Sequence, residues 1–382
     1  MMKKVVFRLC SDVISCGINV DYNFLNSLDY IPGSVLRAGF AKDIYLGCDI
    51  EDRDNFIELK GNECDTCPNK NICEKFSEMS FSFMYKRGTI PSPLTAKKCK
   101  VKPNEHSIKD IILNNGPVVC EECKKINKNL GRMEDIKGYV NAEFKPDKIE
   151  KRTLTHTAIN YAARTALSGK LYSTRSILRN QEFEAYIDDC GTGLVKVGAT
   201  VYIGKYSSNG FGKLEIISVD DVQKTHTIKD RILEFTERYC SDKPEEKSDD
   251  RYYIPILLNA NARLGIEPSM TVASTEEYKK MWGESLFGEN SLFEIEKVYA
   301  QNRLYSGYDT NTRNGWGKWK KTTKLETIAG SSFLVSVDKS KFDEAAEYLT
   351  ELMKNGVGED TLNGYGKIDV CSDIHMIGVN PN

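Results

Sequence analysis

The pattern of apolar and polar positions predicts that the chain opens with a strand, a loop and a helix. Residues 2–9 alternate weakly and are partly β-branched, which indicates a first strand. Residues 31–46 begin with Pro-Gly-Ser and then place apolar side chains on one helical face. These apolar positions are Val35, Leu36, Phe40 and Ile44.

The pattern then changes character along the chain. Residues from 49 to about 150 are polar, contain cysteines and are punctuated by prolines, so we predict an insertion there. The further predicted elements are a helix at 157–167, strands at 183–187 and 198–203, a helix at 228–239, a strand at 252–258, a helix at 274–282, a strand at 331–337 and a helix at 340–354. The charged segment CSDKPEEKSDD (240–250) resembles an interdomain linker.

This order predicts an α+β fold with two ferredoxin-like (RRM-like) βαββαβ domains. The first domain spans 1–225 and contains the cysteine-rich insertion, about 49–150, and the second spans 226–382.

One motif occurs twice, as NGFGKLEI (209–216) and NGYGKIDV (363–370). Two glycines around one aromatic residue allow positive φ values, so backbone N–H groups can crowd close to a phosphate. The alternative is a hairpin turn that leads into a strand, which is how most Asn-Gly pairs are used. Two copies favour duplicated domains, each with a glycine-rich loop that ends in a lysine, Lys213 or Lys367.

The net charge of the 382 residues is only −2, but basic and acidic residues are unevenly distributed along the chain. Residues 151–213 contain nine Lys or Arg against four Asp or Glu, and residues 301–324 contain six against one, close to Trp316 and Trp319. A solvated face explains most charge runs, but basic residues beside aromatic ones also suit single-stranded nucleic acid. No apolar run reaches the length of a membrane span or a signal segment, so we expect a cytoplasmic protein without membrane contact.

The cysteines predict a metal. Twelve cysteines in a cytoplasmic chain argue against disulfides, and six of them cluster within 60 residues. These six are Cys64, Cys67, Cys73, Cys99, Cys120 and Cys123. Two C-x2-C pairs can present four thiolates to one tetrahedral ion, which predicts structural zinc. The other six cysteines are interpreted as small apolar residues; they are Cys10, Cys16, Cys48, Cys190, Cys240 and Cys371.

The ligand set stays open between alternatives. The four ligands are either the two C-x2-C pairs, or Cys99, Cys120 and Cys123 with one upstream thiol. The C-x2-C-x5-C run would also serve an iron–sulfur cluster.

No local motif for hydrolysis or nucleotide binding is present in the sequence. The chain has four histidines, of which His156 could act as a general acid but is expected more often to cap a helix or lie in a core.

Several segments together resemble the RAMP proteins of CRISPR effector complexes, in particular a type III-D member related to the subunits that cap the crRNA 5′ handle. The segments are IPGSVLRAGFA (31–41), the glycine loops at 204–213 and 356–367, NGWGKWKKTTKLETIAGSSFLVSV (314–337), PLTAKKCK (93–100) and CEEC (120–123).

The resemblance implies a non-catalytic subunit of a type III CRISPR ribonucleoprotein in antiviral defence. It would bind the 5′ repeat-derived tag of the crRNA and anchor the large polymerase-like subunit and a backbone RAMP subunit, with target RNA nearby. The residues that would contact RNA are Arg37, Gly204, Lys205, Ser207, Ser208, Gly210, Gly212, Lys213, Gly364, Gly366 and Lys367.

Two other functions remain as alternatives. Repeat-cleaving endonucleases of this superfamily often have a histidine near the first helix, and this helix has none. Backbone subunits slice target RNA with an aspartate, and Asp29 lies just ahead of the Pro-Gly-Ser segment, so a slicing ribonuclease is one alternative. A zinc-stapled protein-interaction module is the other.

Overall fold

A computed structural model gives the fold of most of the chain. It describes residues 2–15, 18–21, 23–50, 57–59, 61–113, 118–127, 131–160, 162–222, 227–242, 248, 250–267, 272–290, 292–305, 308–309, 319–320 and 323–376. Residue contacts divide the chain into two compact units. Unit 1 comprises Met1–Thr89, Lys148–Gln223 and Leu362–Gly364, and unit 2 comprises Ile90–Asp147, Lys224–Thr361 and Tyr365–Asn382.

Strands and helices both occur throughout, which confirms the α+β class. The first strands are β1 (Met2–Leu9), β2 (Ile18–Asp21), β3 (Phe24–Asn26), β4 (Ser80–Phe81), β5 (Tyr85–Lys86) and β6 (Thr89–Pro91). The next are β7 (Ala96–Cys99), β8 (Lys109–Asp110), β9 (Met133–Asp135), β10 (Tyr139–Asn141), β11 (Pro146–Asp147), β12 (Lys151–Asn160), β13 (Thr165–Ile177), β14 (Glu182–Asp188), β15 (Thr200–Tyr202) and β16 (Lys213–Asp221).

The remaining strands follow the first long helix of unit 2. They are β17 (Arg251–Leu258), β18 (Phe293–Tyr299), β19 (Asn302–Tyr305), β20 (Tyr308–Asp309), β21 (Trp319–Lys320), β22 (Lys324–Thr327), β23 (Ser332–Asp338) and β24 (Ile368–Val370). The helices are α1 (Gly33–Leu46), α2 (Lys70–Lys75), α3 (Glu121–Ile126), α4 (Ile228–Asp242), α5 (Thr275–Phe287), α6 (Phe342–Asn355) and α7 (Asp373–Met376).

The main sheet of unit 1 has the strand order β15-β16-β1-β14-β4, with β5 also paired to β14. Strand β1 lies inside the sheet and is antiparallel to both β14 and β16. Helix α1 packs on the sheet through Leu36, Phe40 and Ile44, which share one core with Val5 and Phe7 of β1. The order is last strand, first, third, second, as in a βαββαβ unit, and the turn-rich residues 189–199 stand where the second helix would be.

The main sheet of unit 2 has the order β18-β23-β17-β24, with every pair antiparallel. Helix α5 connects β17 to β18, and α6 connects β23 to β24, so this sheet has the full βαββαβ order. The core joins sheet and helices; for example, the rings of Trp282 and Phe333 lie 5.1 Å apart.

The predicted insertion divides between the two units. Its described residues up to Thr89 belong to unit 1, whereas Ile90–Asp147 belongs to unit 2. Two small sheets, with the strand orders β6-β10-β11 and β8-β7-β9, lie in this part of the chain. Ile112 and Leu113 are buried in the same core as Trp282, and the buried His375 is paired with the Asp110 carboxylate.

The helix predicted at 157–167 is wrong, because this segment belongs to a long antiparallel hairpin of β12 and β13. Threonines at every second position of β12 favour an extended backbone, and cross-strand pairs stabilise it. One pair stacks His156 on Tyr172 with ring centroids 4.9 Å apart. His156 is therefore a strand residue and not a helix cap.

The other predicted elements are confirmed, with ends that differ by a few residues. They are the strands at 2–9, 183–187, 198–203, 252–258 and 331–337 and the helices at 31–46, 228–239, 274–282 and 340–354. Most of the proposed linker at 240–250 and of the basic stretch at 301–324, with Trp316, lies outside the described residues, as do Cys16 and His226.

Among the helices of the described ranges, none is both long and apolar enough to cross a membrane.

Candidate metal centre and nucleic-acid interface

Unit 2 contains a compact group of three cysteines and one histidine. Cys99 ends β7, Cys120 immediately precedes α3, and Cys123 lies on the first turn of α3. His106 comes from the turns between β7 and β8. The four ligand atoms, three Sγ and one imidazole nitrogen, all lie within 4.8 Å of one another.

The distances within this group fit one tetrahedral ion. The Sγ atoms of Cys99 and Cys123 are 3.5 Å apart, and the His106 Nδ1 lies 3.2 Å from the Cys120 Sγ. Ligands at Zn–S and Zn–N bond lengths would be separated by roughly 3.5–3.8 Å around a tetrahedral zinc. The Cys₃His donor set is also one that structural zinc sites use.

The surroundings shift the pKa values of the three thiols in different directions, because burial raises the pKa of Cys120 and raises that of Cys123 to about 12. Burial alone would raise the pKa of Cys99, but hydrogen bonds from the Lys102 backbone N–H, Cys123 and His106 lower it to about 7. The Lys102 N–H donates to the Cys99 Sγ at 3.4 Å. The three sulfurs are buried, so the group has the closed character of a structural site rather than a catalytic one.

Three of the six predicted metal ligands are thus brought together, and His106 takes the fourth position. Cys64, Cys67 and Cys73 are not part of this group, and they belong to unit 1. Neither predicted ligand set included a histidine. The signal in the sequence was that His106 is the one histidine between Cys99 and Cys120.

The repeated glycine motif forms the same backbone arrangement in both units. In unit 1 the Gly212 N–H donates to the Asp12 carbonyl at 2.8 Å, and the Gly212 carbonyl accepts from Ile203 at 2.9 Å. In unit 2 the Gly366 N–H donates to Asn261 at 2.8 Å, and the Gly366 carbonyl accepts from Val357 at 2.9 Å. We call this arrangement the glycine clasp, defined by these three residues in each unit.

Glycine is required at the centre of each clasp. Gly212 has φ +76° and Gly366 has φ +65°, in the left-handed region. A Cβ there would overlap the carbonyl oxygen of Ile203 or Val357. The clasp therefore fixes each loop to the segment that follows the first strand of the main sheet of its unit, β1 or β17.

The first glycine loop offers fewer free backbone donors than its glycine content suggests. Within unit 1, backbone N–H groups already donate from Lys205, Asn209, Gly210, Phe211, Gly212 and Lys213. These six N–H groups therefore hold the loop to its own unit.

A cleft of about 220 Å³ lies beside the first glycine loop. Its walls are Ser11, Asp12, Arg152, Leu154, Arg179, Gly210 and Phe211. Arg152 and Arg179 are exposed, and no ion pair to either guanidinium is found among the described residues. The Asp12 carboxylate accepts from the Arg179 backbone N–H at 3.0 Å, which holds this wall in place.

The Arg37 guanidinium is held by backbone carbonyls within unit 1. Its guanidinium donates to the carbonyls of Phe76, Ser77 and Met79, at 2.7–3.2 Å, and lies over the Phe76 ring. Burial lowers its pKa. These contacts make Arg37 a packing residue between α1 and the segment after α2.

The remaining loop residues divide by exposure. Lys205 and Ser208 are exposed, and the Ser207 hydroxyl accepts from Lys42 at 3.2 Å. Gly204 has φ +74°, and a Cβ there would overlap the Ile14 carbonyl. Gly364 is buried and packs against Phe81 and Ser82 within unit 1.

The two lysines that close the repeated motif differ in environment. The Lys367 ammonium donates to the Lys354 carbonyl at 2.6 Å, near the end of α6, and burial lowers its pKa. Lys213 is half-buried, and no hydrogen bond or ion pair of its ammonium is found among the described residues.

The residues of the alternative enzyme functions are separate from the cleft. The Asp29 carboxylate is about half exposed and forms an ion pair with Lys151. His156 stacks on Tyr172 and lies 3.2 Å from the Thr174 hydroxyl.

No protein-family profile and no curated protein matches the chain. Among solved structures it is similar to a chain of the Type III-B Cmr-beta complex bound to cognate target RNA, with 12% identity, 96% of each chain covered and a TM-score of 0.45. A chain of the same complex with AMPPnP also bound has 12% identity, a TM-score of 0.43 and coverage of 94% of this chain and 90% of that one. These values leave the function open.

Proposed function

We propose that the chain is a non-catalytic subunit of a type III CRISPR ribonucleoprotein and binds the 5′ repeat-derived tag of the crRNA. In this role it contacts the large polymerase-like subunit and a backbone RAMP subunit, with target RNA nearby. The observation that carries the proposal is the cleft beside the first glycine loop. The family assignment rests on the sequence resemblance of IPGSVLRAGFA and both glycine loops.

The charge of the cleft supports a phosphate ligand. Arg152 and Arg179 stand on two different segments but line one small cavity. A guanidinium presents a planar set of donors that matches phosphate oxygens. The one carboxylate of the cleft, Asp12, already accepts hydrogen bonds from the Arg179 N–H and the Ser176 hydroxyl, so part of its acceptor capacity is used inside the protein.

The aromatic residues of the loop support a single-stranded ligand. Phe211 lines the cleft, and the exposed Tyr206 lies against it with ring centroids 6.4 Å apart. Single-stranded RNA is bound by basic grooves in which unpaired bases stack on aromatic side chains. The cleft therefore combines a phosphate site with a surface for a base.

The test measures binding of a single-stranded RNA with the repeat-derived tag at its 5′ end. Replacing Arg152 and Arg179 by alanine is expected to weaken binding about tenfold or more and to reduce the slope of log affinity against log salt by about 1.4. The control variant, Lys124→Ala with Lys280→Ala, removes the same charge from unit 2 and should bind normally. If the arginine variant binds RNA like the wild type, the cleft is not the interface and the protein-interaction alternative gains weight.

A slicing ribonuclease is the second candidate, because the Asp29 carboxylate is exposed beside a lysine. RNA cleavage by the assembled complex that is lost in Asp29→Ala, with crRNA binding retained, would establish it. The non-catalytic role predicts the same cleavage, or the same lack of it, in the wild type and this variant.

A further inference from the structure

A second group of cysteines lies in unit 1, apart from the Cys₃His group of unit 2. Cys64 and Cys67 form a C-x2-C turn, Cys73 follows on α2, and Cys48 comes two residues after the end of α1. Cys64 is buried, the other three are half-buried, and none of the four forms a disulfide within the described part of the chain. None of them is used by the proposed RNA interface.

The C-x2-C turn already has the backbone of a metal-binding knuckle. A 3₁₀ turn at Gly61–Cys64 leads into it, and the Cys67 N–H donates to the Cys64 carbonyl at 3.2 Å. The Cys73 N–H donates to the Asn69 carbonyl at 3.0 Å, so α2 starts directly from this turn. Such a turn lets two sulfurs face one metal.

The C-terminal end of α1 lies next to the start of α2. A Cβ built on Gly47 would lie 4.0 Å from the Asn69 side-chain nitrogen, so the residue before Cys48 borders the start of α2. The Asn69 carbonyl accepts the Cys73 N–H at 3.0 Å, so the residue before Cys48 and the backbone of Cys73 both border Asn69.

We propose that Cys48, Cys64, Cys67 and Cys73 bind a second, thiolate-held metal centre, independent of the Cys₃His centre of unit 2. Four sulfur donors select zinc or an iron–sulfur cluster over harder metals. Within the described ranges, only the Cys₃His group has three or more ligand atoms within 4.8 Å of one another. The sulfurs of the second group are thus more widely spaced, and the proposed centre requires them to move closer together when the metal binds.

The proposed centre has a structural consequence for unit 1. It joins the C-terminal end of α1 to the segment 61–75, which has few apolar residues of its own. Helix α1 packs on the central sheet, and Arg37 on this helix holds the carbonyls that follow α2. The metal would hold the C-terminal end of α1 against the segment 61–75, at the opposite end of the helix from Arg37.

Elemental analysis of the full-length protein tests the stoichiometry. The wild type is expected to carry two centres per chain, Cys64→Ser with Cys67→Ser one, and Cys120→Ser with Cys123→Ser one. The matched control, Cys10→Ser with Cys190→Ser, should keep both. Zinc without visible absorption identifies the second centre as a zinc ion, whereas iron with sulfide identifies a cluster. One centre in the wild type, or an unchanged content in the Cys64/Cys67 variant, would overturn the proposal.

A measurement on the wild-type chain avoids the folding defect that a substitution could cause. Alkylation followed by mass spectrometry should find Cys48 and Cys73 protected in the purified protein and reactive after metal chelation, while Cys10 reacts at the same rate in both. In Cys48→Ser, metal transfer to a chelating dye is expected to be at least about tenfold faster than in the wild type. If Cys48 and Cys73 react as fast as Cys10 before chelation, they hold no metal.

Discussion

The two glycine clasps have nearly the same backbone but different side chains around it. In each unit a glycine with positive φ donates to the third residue after the first strand of the main sheet, β1 or β17, and accepts from the loop ahead of it. In unit 1 the residue after Gly204 is Lys205, whereas in unit 2 the residue after Gly358 is Glu359. The clasp itself is therefore part of the fold, and its neighbours decide what it can bind.

The neighbours of the unit 2 clasp are paired with each other. Glu359 forms an ion pair with Lys324, and Asp360 forms one with Arg263. Arg263 also lies between the rings of Tyr305 and Tyr365, at 4.3 and 4.0 Å from their centroids. In unit 1, by contrast, two arginines face an open cleft. A repeated motif thus does not imply a repeated binding site.

The largest expected effect comes from breaking either clasp. Gly212→Val and Gly366→Val each place a side chain in a left-handed conformation and against a carbonyl oxygen. We expect either change to lower the free energy of unfolding by about 3 kcal/mol or more. Urea unfolding would show this loss as a lower midpoint concentration of urea.

The control for this prediction is Gly210→Ala in the same loop. Gly210 also has a positive φ, but no atom lies within 4 Å of the place that a Cβ would occupy, so the cost should be about 1 kcal/mol. A Gly366→Val protein with the wild-type midpoint would show that the unit 2 clasp does not contribute to the fold.

The second-largest effect distinguishes Lys213 from Lys367, the lysines at the ends of the two glycine loops. Lys367→Ala should cost about 1 kcal/mol of stability, because it removes a half-buried hydrogen bond near the end of α6, and should leave RNA affinity unchanged. Lys213→Ala should do the reverse, with affinity for RNA reduced roughly threefold to fivefold and the same unfolding midpoint. Equal loss of RNA affinity in both variants would mean that both loops bind RNA.

The smallest effect is a pH dependence specific to Lys367. Because burial lowers its pKa in the folded protein, the unfolded chain binds more protons in the interval below the ordinary value of 10.5. Stability of the wild type relative to Lys367→Met should therefore rise as the pH increases through this interval. Thermal unfolding from about pH 8 to about pH 10.5 measures it, and a difference that stays constant or falls would contradict the burial of this ammonium.

The sequence predicts those parts of the fold that are set by local pattern. The strand at 2–9, the helix at 31–46 and the two glycine loops were found from alternation, helical spacing and positive-φ residues. The pattern does not predict the hairpin of β12 and β13 because several of its apolar residues, among them Ile159 and Leu171, are exposed, and cross-strand pairs such as His156 with Tyr172 stabilise it instead. Pairing over this distance leaves no local signal.

The sites were predictable to different degrees. Cys99, Cys120 and Cys123 were recognised from spacing, but His106 reaches them only through the turns between β7 and β8. Arg152 and Arg179 lie far apart in sequence, and the hairpin brings both to the cleft. The packing of Arg37 against backbone carbonyls also depends on contacts between distant segments.

The interleaving of the two units along the chain has a practical consequence for producing fragments. A polypeptide that starts at residue 224 lacks Ile112 and Leu113 of its own core and the Asp110 partner of His375. Such a fragment should be insoluble alone and recover when the 90–147 segment is supplied on a separate chain. Production of unit 2 alone should therefore need both pieces, 90–147 and 224–382, and a permuted gene that joins them directly would encode them as one chain.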